Sequence, residues 1–218
     1  MDVRAWLERC PLVAILRGVQ PAEAESICSA LESAGICIVE VPLNSPSPLE
    51  SISILSRSFG SRMLIGAGTV TEPSQVGEVA AAGGRLIVTP HADTTIVRAA
   101  KQAGLFAFPG FFNPTEAFAM LQAGADALKL FPAEVLGPPM LKAMLAVLPK
   151  SAMVVPVGGV DASTVGSWMT VGASGLGLGS SLYKPGDDAE TVARKAKALQ
   201  SALRAWQSTQ PEKIHASN

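Results

Sequence analysis

The sequence predicts a single (β/α)8 barrel, an α/β fold in which eight parallel strands alternate with helices. Three observations lead to this prediction. Short apolar segments recur about every 20–25 residues, a glycine precedes most of them, and helix-like stretches fill the intervals. The chain has 218 residues, of which 48% are hydrophobic, and this suits one α/β domain. A doubly wound open sheet is the alternative, but it usually has fewer strands and a G-x-G-x-x-G turn, which is absent here.

Eight segments have the length of strands and are apolar nearly throughout, as expected where helices cover one face of a sheet and a core fills the other. In chain order they are residues 12–17, 36–43, 63–69, 86–89, 106–109, 127–131, 154–157 and 175–179. Strands two to six and strand eight follow a glycine that can end a helix: Gly35, Gly60, Gly84, Gly104, Gly124 and Gly172.

The intervals between these segments have the features of helices. Val76, Val79 and Ala80 show the three- and four-residue spacing of an apolar helix face. Four prolines come shortly after strands, where a helix can begin: Pro21, Pro46, Pro73 and Pro114. We therefore assign residues 1–207 to the barrel. Residues 208–218 are polar and aperiodic, and we expect a C-terminal tail there.

Composition excludes several classes of protein. The net charge is −1 and only 16% of residues are charged, so no basic stripe predicts nucleic-acid binding. No apolar run reaches the ~20 residues of a membrane span, and the first residues do not resemble a signal peptide. The three cysteines form no C-x-x-C pair, and there are only two histidines. We therefore expect a cytoplasmic protein without a metal site.

Lys129 is the most informative residue, because it lies in the apolar run of residues 127–132. An ammonium group removed from water either finds a partner or loses its proton. A neutral lysine amine is a nucleophile that attacks a ketone to form an imine. The alternative is a structural lysine whose aliphatic stem is buried while its amine reaches the solvent.

Glu40 is a second charged residue in a buried strand. It interrupts the apolar residues Ile38, Val39 and Val41. Because side chains alternate along a strand, Glu40 shares a face with Ile38 and Pro42. If that face is the barrel interior, Glu40 and Lys129 approach the same mouth, where they are candidate catalytic residues. A buried salt bridge between them is the alternative.

The remaining candidates follow the carboxyl ends of strands, where barrel enzymes place their active sites. Arg17 can bind a substrate carboxylate with two hydrogen bonds, and Thr69 can add a hydroxyl. The alternative for Arg17 is a solvent-facing position at the rim, and we expect His91 at the rim also. The glycines and serine that end strands seven and eight predict a phosphate site: Gly158, Gly159, Gly179 and Ser180. Ordinary turn glycines are the alternative.

With these residues in place, the chain resembles the bacterial 2-keto-3-deoxy-6-phosphogluconate/phosphogalactonate aldolase family, which includes 4-hydroxy-2-oxoglutarate aldolases. The resemblance extends over residues 12–183. Its motifs are residues 14–18, 39–46, 65–70, 127–132, 157–160 and 177–180. It implies a class I aldolase without metal or cofactor, a homotrimer, and a small phosphorylated keto acid as substrate. A non-covalent phosphosugar isomerase or epimerase and a non-catalytic binding protein are the alternatives.

The loop after the second strand separates the branches of this family. Asn44 and Ser45 stand where the phosphogluconate enzymes typically have Arg-Thr, and this resembles the phosphogalactonate branch. The two substrates differ at C4, next to the bond that breaks, so a changed polar contact there is a plausible discriminator. Two positions depart from that branch. Ala133-Glu134 is closer to the phosphogluconate enzymes, and Ser181 replaces a frequent Asp. The resemblance thus implies cleavage of 2-dehydro-3-deoxy-6-phosphogalactonate to pyruvate and glyceraldehyde 3-phosphate.

Overall fold

The structure, a computed structural model, describes residues 2–210. The strands are β1 (Leu12–Ile15), β2 (Ile38–Pro42), β3 (Leu64–Gly68), β4 (Leu86–Val88), β5 (Phe106–Phe108), β6 (Gly110–Phe111), β7 (Leu128–Leu130), β8 (Val154–Pro156) and β9 (Leu176–Leu178). The helices are α1 (Val3–Arg9), α2 (Pro21–Ser33), α3 (Pro48–Phe59), α4 (Pro73–Ala81), α5 (Thr94–Gln102), α6 (Pro114–Gln122), α7 (Ala133–Val147), α8 (Val165–Thr170) and α9 (Ala189–Ser208).

The strands form two parallel sheets, and this confirms the predicted α/β class. The larger sheet has the order β5-β4-β3-β2-β1-β9, and the smaller one has the order β6-β7-β8. A parallel bridge between Val157 and Gly177 links the segment after β8 to β9. Nearly every strand residue is buried, because helices cover the outer faces and side chains fill the space between the strands.

The predicted fifth strand, residues 106–109, differs from the structure. It consists of two short strands that are separated by Pro109, which has no N–H to donate to a ladder. β5 pairs with β4, whereas β6 pairs with β7. The carbonyl of Pro109 still accepts a hydrogen bond from the Lys129 N–H at 2.8 Å. The break therefore lies next to the strand that carries the candidate nucleophile.

The helix starts match three of the four predicted prolines. Pro21, Pro73 and Pro114 each begin a helix, whereas α3 begins at Pro48 and not at Pro46. The helix cannot include Pro46, because Ser47 has a φ of 41°, outside the right-handed helical region. Within this loop, Ser45 Oγ accepts a hydrogen bond from the Gly18 N–H at 2.9 Å. The predicted helix start at Pro46 is therefore wrong by two residues.

Both ends of the chain add to the predicted pattern. α1 precedes the first strand and buries Trp6 and Leu7. α9 extends to Ser208, slightly beyond the predicted boundary at residue 207, because Trp206 packs against the core and donates a hydrogen bond to Thr170 Oγ1. Residues 211–218 of the predicted tail lie outside the described residues. Within residues 2–210, no helix is both long enough and apolar enough to span a membrane.

Candidate active site

Lys129 is buried at the centre of β7, with only 5% of its surface exposed. Its neighbours Leu128 and Leu130 are fully buried. The Nζ atom lies 4.8 Å from the centroid of the Phe131 ring. Burial lowers the pKa of Lys129; Glu40 opposes this effect, and Arg17 adds to it. The environment therefore favours the neutral amine, which is the nucleophilic form.

Glu40 is buried in β2, with 2% of its surface exposed. Burial raises the pKa of its carboxyl group, while Lys129 and Arg17 act in the opposite direction. Its Oε2 atom has no hydrogen-bond partner within residues 2–210. In the same part of the chain, Glu40 and Lys129 form no direct ion pair. The structure thus brings both groups into the interior without the predicted alternative of a salt bridge.

Gly68, at the end of β3, makes room for the Glu40 carboxylate. A Cβ atom on residue 68 would stand 1.2 Å from Glu40 Oε2. Two residues earlier, a Cβ atom on Gly66 would stand 2.1 Å from the Leu86 carbonyl oxygen. Gly68 therefore leaves space for a group of the candidate site, whereas Gly66 allows β3 and β4 to pack closely. The role of Gly68 was not predicted, although a glycine in a strand is a signal of close approach.

Arg17, Asn44 and Thr69 meet at the ends of the first three strands. The Arg17 guanidinium donates to Asn44 Oδ1 at 2.6 Å and to Thr69 Oγ1 at 3.3 Å. Thr69 has a φ of 54°, in the left-handed region that β-branched residues rarely adopt. The predicted carboxylate site and the predicted specificity loop are therefore one hydrogen-bonded cluster. Ser45 lies beside it, and its hydroxyl is bonded to the Gly18 N–H.

The four residues predicted to bind phosphate line one cavity of about 730 Å³. They are Gly158, Gly159, Gly179 and Ser180. Ser181 donates a hydrogen bond to the Val160 carbonyl at 2.7 Å and so ties the two loops together. Lys129 and Glu40 do not line this cavity, but Arg17 and Phe131 do. The cavity thus extends from the cluster at Arg17 to the glycine loops.

Several charged residues of this cavity were not expected. Glu134, Lys184, Arg194 and Lys195 all line it. They lie in or just before helices, away from the ends of the strands. Glu134 was noted only for its resemblance to the phosphogluconate enzymes, and nothing in the local sequence marks the three cationic residues. His91 is exposed and lies 4.0 Å from Asp93, in agreement with the predicted rim position. Among residues 2–210, no group of three acidic, cysteine or histidine side chains is arranged to hold a metal ion.

Comparisons with known proteins agree with this geometry. A family model described as "Aldolase: KDPG and KHG aldolase" matches residues 3–195. The 2-dehydro-3-deoxy-6-phosphogalactonate aldolase of Escherichia coli K12 is 44% identical over 199 residues, which cover 91% of this chain and 97% of that protein. A solved structure described as "Native KDPGal structure" has a TM-score of 0.90 at 44% identity, covering 92% of this chain and 97% of the other.

A more distant solved structure is the KDPG aldolase of Legionella pneumophila, with pyruvate captured as a covalent carbinolamine intermediate. It is 26% identical, has a TM-score of 0.80, and covers 94% of this chain and 98% of its own. The family model, the relatives and the buried pair of titratable groups all lead to one conclusion. This chain belongs to the KDPG and KHG aldolase family.

Proposed function

We propose that this aldolase cleaves 2-dehydro-3-deoxy-6-phosphogalactonate to pyruvate and glyceraldehyde 3-phosphate through an imine on Lys129. One observation carries the proposal: a lysine that is 5% exposed has its pKa lowered by burial and is held without a direct ion pair among the described residues. A structural lysine gains nothing from such surroundings, whereas an imine-forming lysine requires them.

The first step is attack of the Lys129 Nζ on the C2 carbonyl carbon of the substrate. The resulting carbinolamine takes a proton, which the carboxyl group of Glu40 can supply, and loses water to leave a protonated imine, which can accept an electron pair. The face of the Phe131 ring, 4.8 Å from Nζ, is suited to stabilise this cation. The covalent carbinolamine described for the Legionella pneumophila aldolase supports the same chemistry for its relative.

Glu40 is the proposed base and acid of the next steps. It takes the proton of the C4 hydroxyl, the C3–C4 bond breaks, and its electron pair moves into the imine to give an enamine. Glyceraldehyde 3-phosphate leaves, Glu40 returns the proton to C3, and hydrolysis of the imine releases pyruvate. A group that works in both directions needs a pKa near the operating pH, and burial moves the pKa of Glu40 in that direction.

Three groups of residues hold the substrate in this proposal. Arg17 and Thr69 bind the carboxylate at the pyruvate end, since their side chains already lie within hydrogen-bonding distance of each other. The loops at residues 158–159 and 179–180 bind the phosphate. Asn44 and Ser45 set the preference at C4, and the Asn44 bond to Arg17 places it beside the reacting end. Fixing both ends aligns the bond that breaks.

We also propose that the two sheets form one closed eight-stranded barrel over residues 1–207. β5 and β6 are consecutive, and through them the chain pairs with β4 on one side and β7 on the other. The Val157–Gly177 bridge joins the sheets at the opposite edge. With β5 and β6 counted as one bent strand, the strands number eight, as predicted from the sequence.

A homotrimer in the cytoplasm completes the proposal. Large apolar side chains are exposed at Phe112, Phe118 and Val135, and a contact between subunits would cover them. A designed cage built from symmetric oligomeric domains contains a chain 44% identical to this one. The buried free thiols of the three cysteines agree with a reducing compartment. Light scattering on the purified protein measures the oligomer directly.

The imine is tested by incubating the protein with pyruvate and borohydride and by mapping the adduct with mass spectrometry. We expect one reduced adduct on Lys129, and none in the Lys129→Met variant. The Lys101→Met variant is the matched control, since it removes another lysine and leaves the proposed nucleophile. Turnover without any adduct would instead support the non-covalent isomerase or epimerase.

The substrate is tested by steady-state rates on the two C4 epimers and on 4-hydroxy-2-oxoglutarate. We expect the highest kcat/KM on the phosphogalactonate epimer. A higher value on 2-dehydro-3-deoxy-6-phosphogluconate or on 4-hydroxy-2-oxoglutarate would assign the chain to the alternative substrate. Binding without turnover of any of the three would favour a non-catalytic protein.

A further inference from the structure

We infer that Arg194 and Lys184 attract the substrate's phosphate by charge and that Glu134 opposes them. The balance of these three side chains would then decide how strongly the enzyme prefers a phosphate to a carboxylate at the far end of its substrate. The inference rests on the proposed function, because it assigns residues to the phosphate end of the same site.

The three side chains line the same cavity as the glycine loops. The backbone N–H groups of Gly159 and Ser180 donate to no protein acceptor within residues 2–210. Such N–H groups bind an anion but carry only partial charges. Full charges that face the same cavity therefore add the long-range attraction that the loops lack.

Four cationic side chains line the cavity: Arg17, Lys184, Arg194 and Lys195. Arg17 lies at the proposed carboxylate end, and Lys195 is already neutralised. Lys195 Nζ forms an ion pair with Asp187 Oδ2 at 2.5 Å, and this bond is the main reason why the pKa of Asp187 is lowered. Asp187 also accepts a hydrogen bond from the Lys184 backbone N–H at 2.8 Å, which fixes the loop that carries Lys184. Within the described part of the chain, the Lys184 and Arg194 side chains have no carboxylate partner.

Glu134 brings a negative charge to the cavity from the first turn of α7. Its Oε2 lies 1.8 Å from the place where a Cβ atom on Gly158 would stand, and its Cβ lies 2.7 Å from the corresponding place on Gly159. The two glycines thus make room for Glu134. No hydrogen bond or ion pair within residues 2–210 satisfies this carboxylate, so its charge acts on whatever occupies the cavity.

These three side chains carry two attractive charges and one repulsive charge. Asp161 is a second acidic residue of the lining, and its Oδ1 accepts hydrogen bonds from Ser163 and Thr164. Each single charge acts about twice as strongly on a phosphate dianion as on a carboxylate, because the interaction energy is proportional to the ligand's charge. Neutralising a cation should therefore weaken binding of the phosphorylated substrate more than binding of 4-hydroxy-2-oxoglutarate. Neutralising Glu134 should instead strengthen binding of both, and more so for the phosphorylated substrate.

The first experiment compares KM for the phosphorylated substrate and for 4-hydroxy-2-oxoglutarate in Arg194→Gln, Lys184→Gln and Glu134→Gln. Lys197→Gln is the matched control, since Lys197 is exposed on the same helix and does not line the cavity. We expect KM for the phosphorylated substrate to rise about fivefold in Arg194→Gln and to fall in Glu134→Gln, with kcat within about twofold. The corresponding change for 4-hydroxy-2-oxoglutarate should be about twofold.

The second experiment measures binding of inorganic phosphate by calorimetry and needs no turnover. We expect the affinity to rise in Glu134→Gln, to fall in Arg194→Gln, and to stay at the wild-type value in Lys197→Gln. Equal affinities in Arg194→Gln and Lys197→Gln would overturn the inference. If the phosphate affinities follow the expected order while no keto acid is cleaved, the inference stands and the proposed function fails.

Discussion

Two of the regions in which this protein holds a lysine near a carboxylate treat the two charges differently. Lys101 and Asp126 are partly exposed and bonded directly, with Nζ 2.6 Å from Oδ2 and 2.8 Å from Oδ1. Lys129 and Glu40 are both buried, form no direct ion pair among residues 2–210, and have shifted pKa values. In the first pair each charge is neutralised by its partner, whereas in the second the amine and the carboxyl group stay available to react with a substrate.

The surface pair has a structural role that its bonds explain. Asp126 Oδ2 also accepts a hydrogen bond from the Ala107 N–H at 2.8 Å, and Lys101 Nζ also donates to the Leu105 carbonyl at 3.2 Å. The pair thus links α5 to the segment that carries β5. In the interior, desolvation dominates, and it favours the neutral amine and the protonated carboxyl. A direct ion pair thus stabilises the fold at Lys101, whereas burial away from water and from a bonded carboxylate makes the amine of Lys129 reactive.

The largest effect is expected from Lys129→Met. This change removes the nucleophile but keeps an unbranched apolar side chain, so kcat should fall by about 10⁴-fold or more. Steady-state assays with the phosphorylated substrate measure it, with Lys101→Met as the control, which should stay within about threefold of the wild type. Comparable losses of kcat in the two variants would show that the buried lysine has no special role in turnover.

Glu40→Gln should lower kcat by about 10²- to 10⁴-fold, because it removes the proposed base. It should also shift the pH dependence of imine formation. The Glu40 charge raises the pKa of Lys129, so its loss lowers that pKa further and lets the amine react at lower pH. The shift is expected only in the pH range in which Glu40 of the wild-type protein is ionised. Borohydride trapping at a series of pH values measures it.

The control for this shift is Asp126→Asn, which removes a carboxylate from the surface pair. Its trapping profile should coincide with that of the wild type. A Glu40→Gln profile displaced toward higher pH would have the wrong sign for an interaction between the two buried groups.

Gly68→Ala should lower kcat by about 10- to 100-fold, because the new methyl group takes the place of Glu40 Oε2 and displaces the carboxylate. Gly77→Ala is the matched control, since a Cβ atom on Gly77 meets nothing within 4 Å. Rates and thermal melting of both variants separate a displaced base from a misfolded chain. If folded Gly68→Ala protein keeps wild-type kcat, the position of Glu40 is not critical.

The smallest effects are expected in stability, and they differ in sign between the two lysines. The unfolded chain binds a proton at Lys129 below its ordinary pKa of 10.5, whereas the folded chain disfavours it. Lys129→Met should therefore raise the free energy of unfolding by ~1–3 kcal/mol at neutral pH. The gain should shrink as the pH rises toward 10.5.

Lys101→Met should lower the free energy of unfolding by ~1 kcal/mol, since it breaks a partly exposed ion pair. Urea unfolding of both variants at neutral and alkaline pH measures the two changes. The same sign for both lysines would show that burial does not distinguish them.

Much of the site was predictable, because charged residues in apolar strands are costly and therefore conspicuous. The burial of Lys129 and Glu40 was predicted in this way, and Arg17 and Thr69 were expected to lie together because both follow strand ends. Their catalytic and binding roles stay predictions. Contacts between segments far apart in the chain were not predictable. The Arg17–Asn44 bond and the space that Gly68 leaves for Glu40 depend on neighbouring strands, and no local pattern encodes them.

The break at Pro109 shows the same limit in the fold. The apolar run around Pro109 predicts a strand, and the proline indicates an interruption. Only the neighbouring strands β4 and β7 determine that each half pairs with a different strand. The charges of Lys184, Arg194 and Glu134 likewise indicate no function in the sequence, because only the packing of the helices brings them to one cavity.

By itself, the sequence determined the α/β class, the alternation of strands and helices along the chain and the identity of the two buried titratable residues, because hydrophobic periodicity and the cost of burying a charge act locally. The tertiary structure decided which residues contact one another, which lysine is paired, and how far each pKa moves. Distances and desolvation arise only when separate segments pack together, and they determine whether an amine stabilises the fold or is free to react.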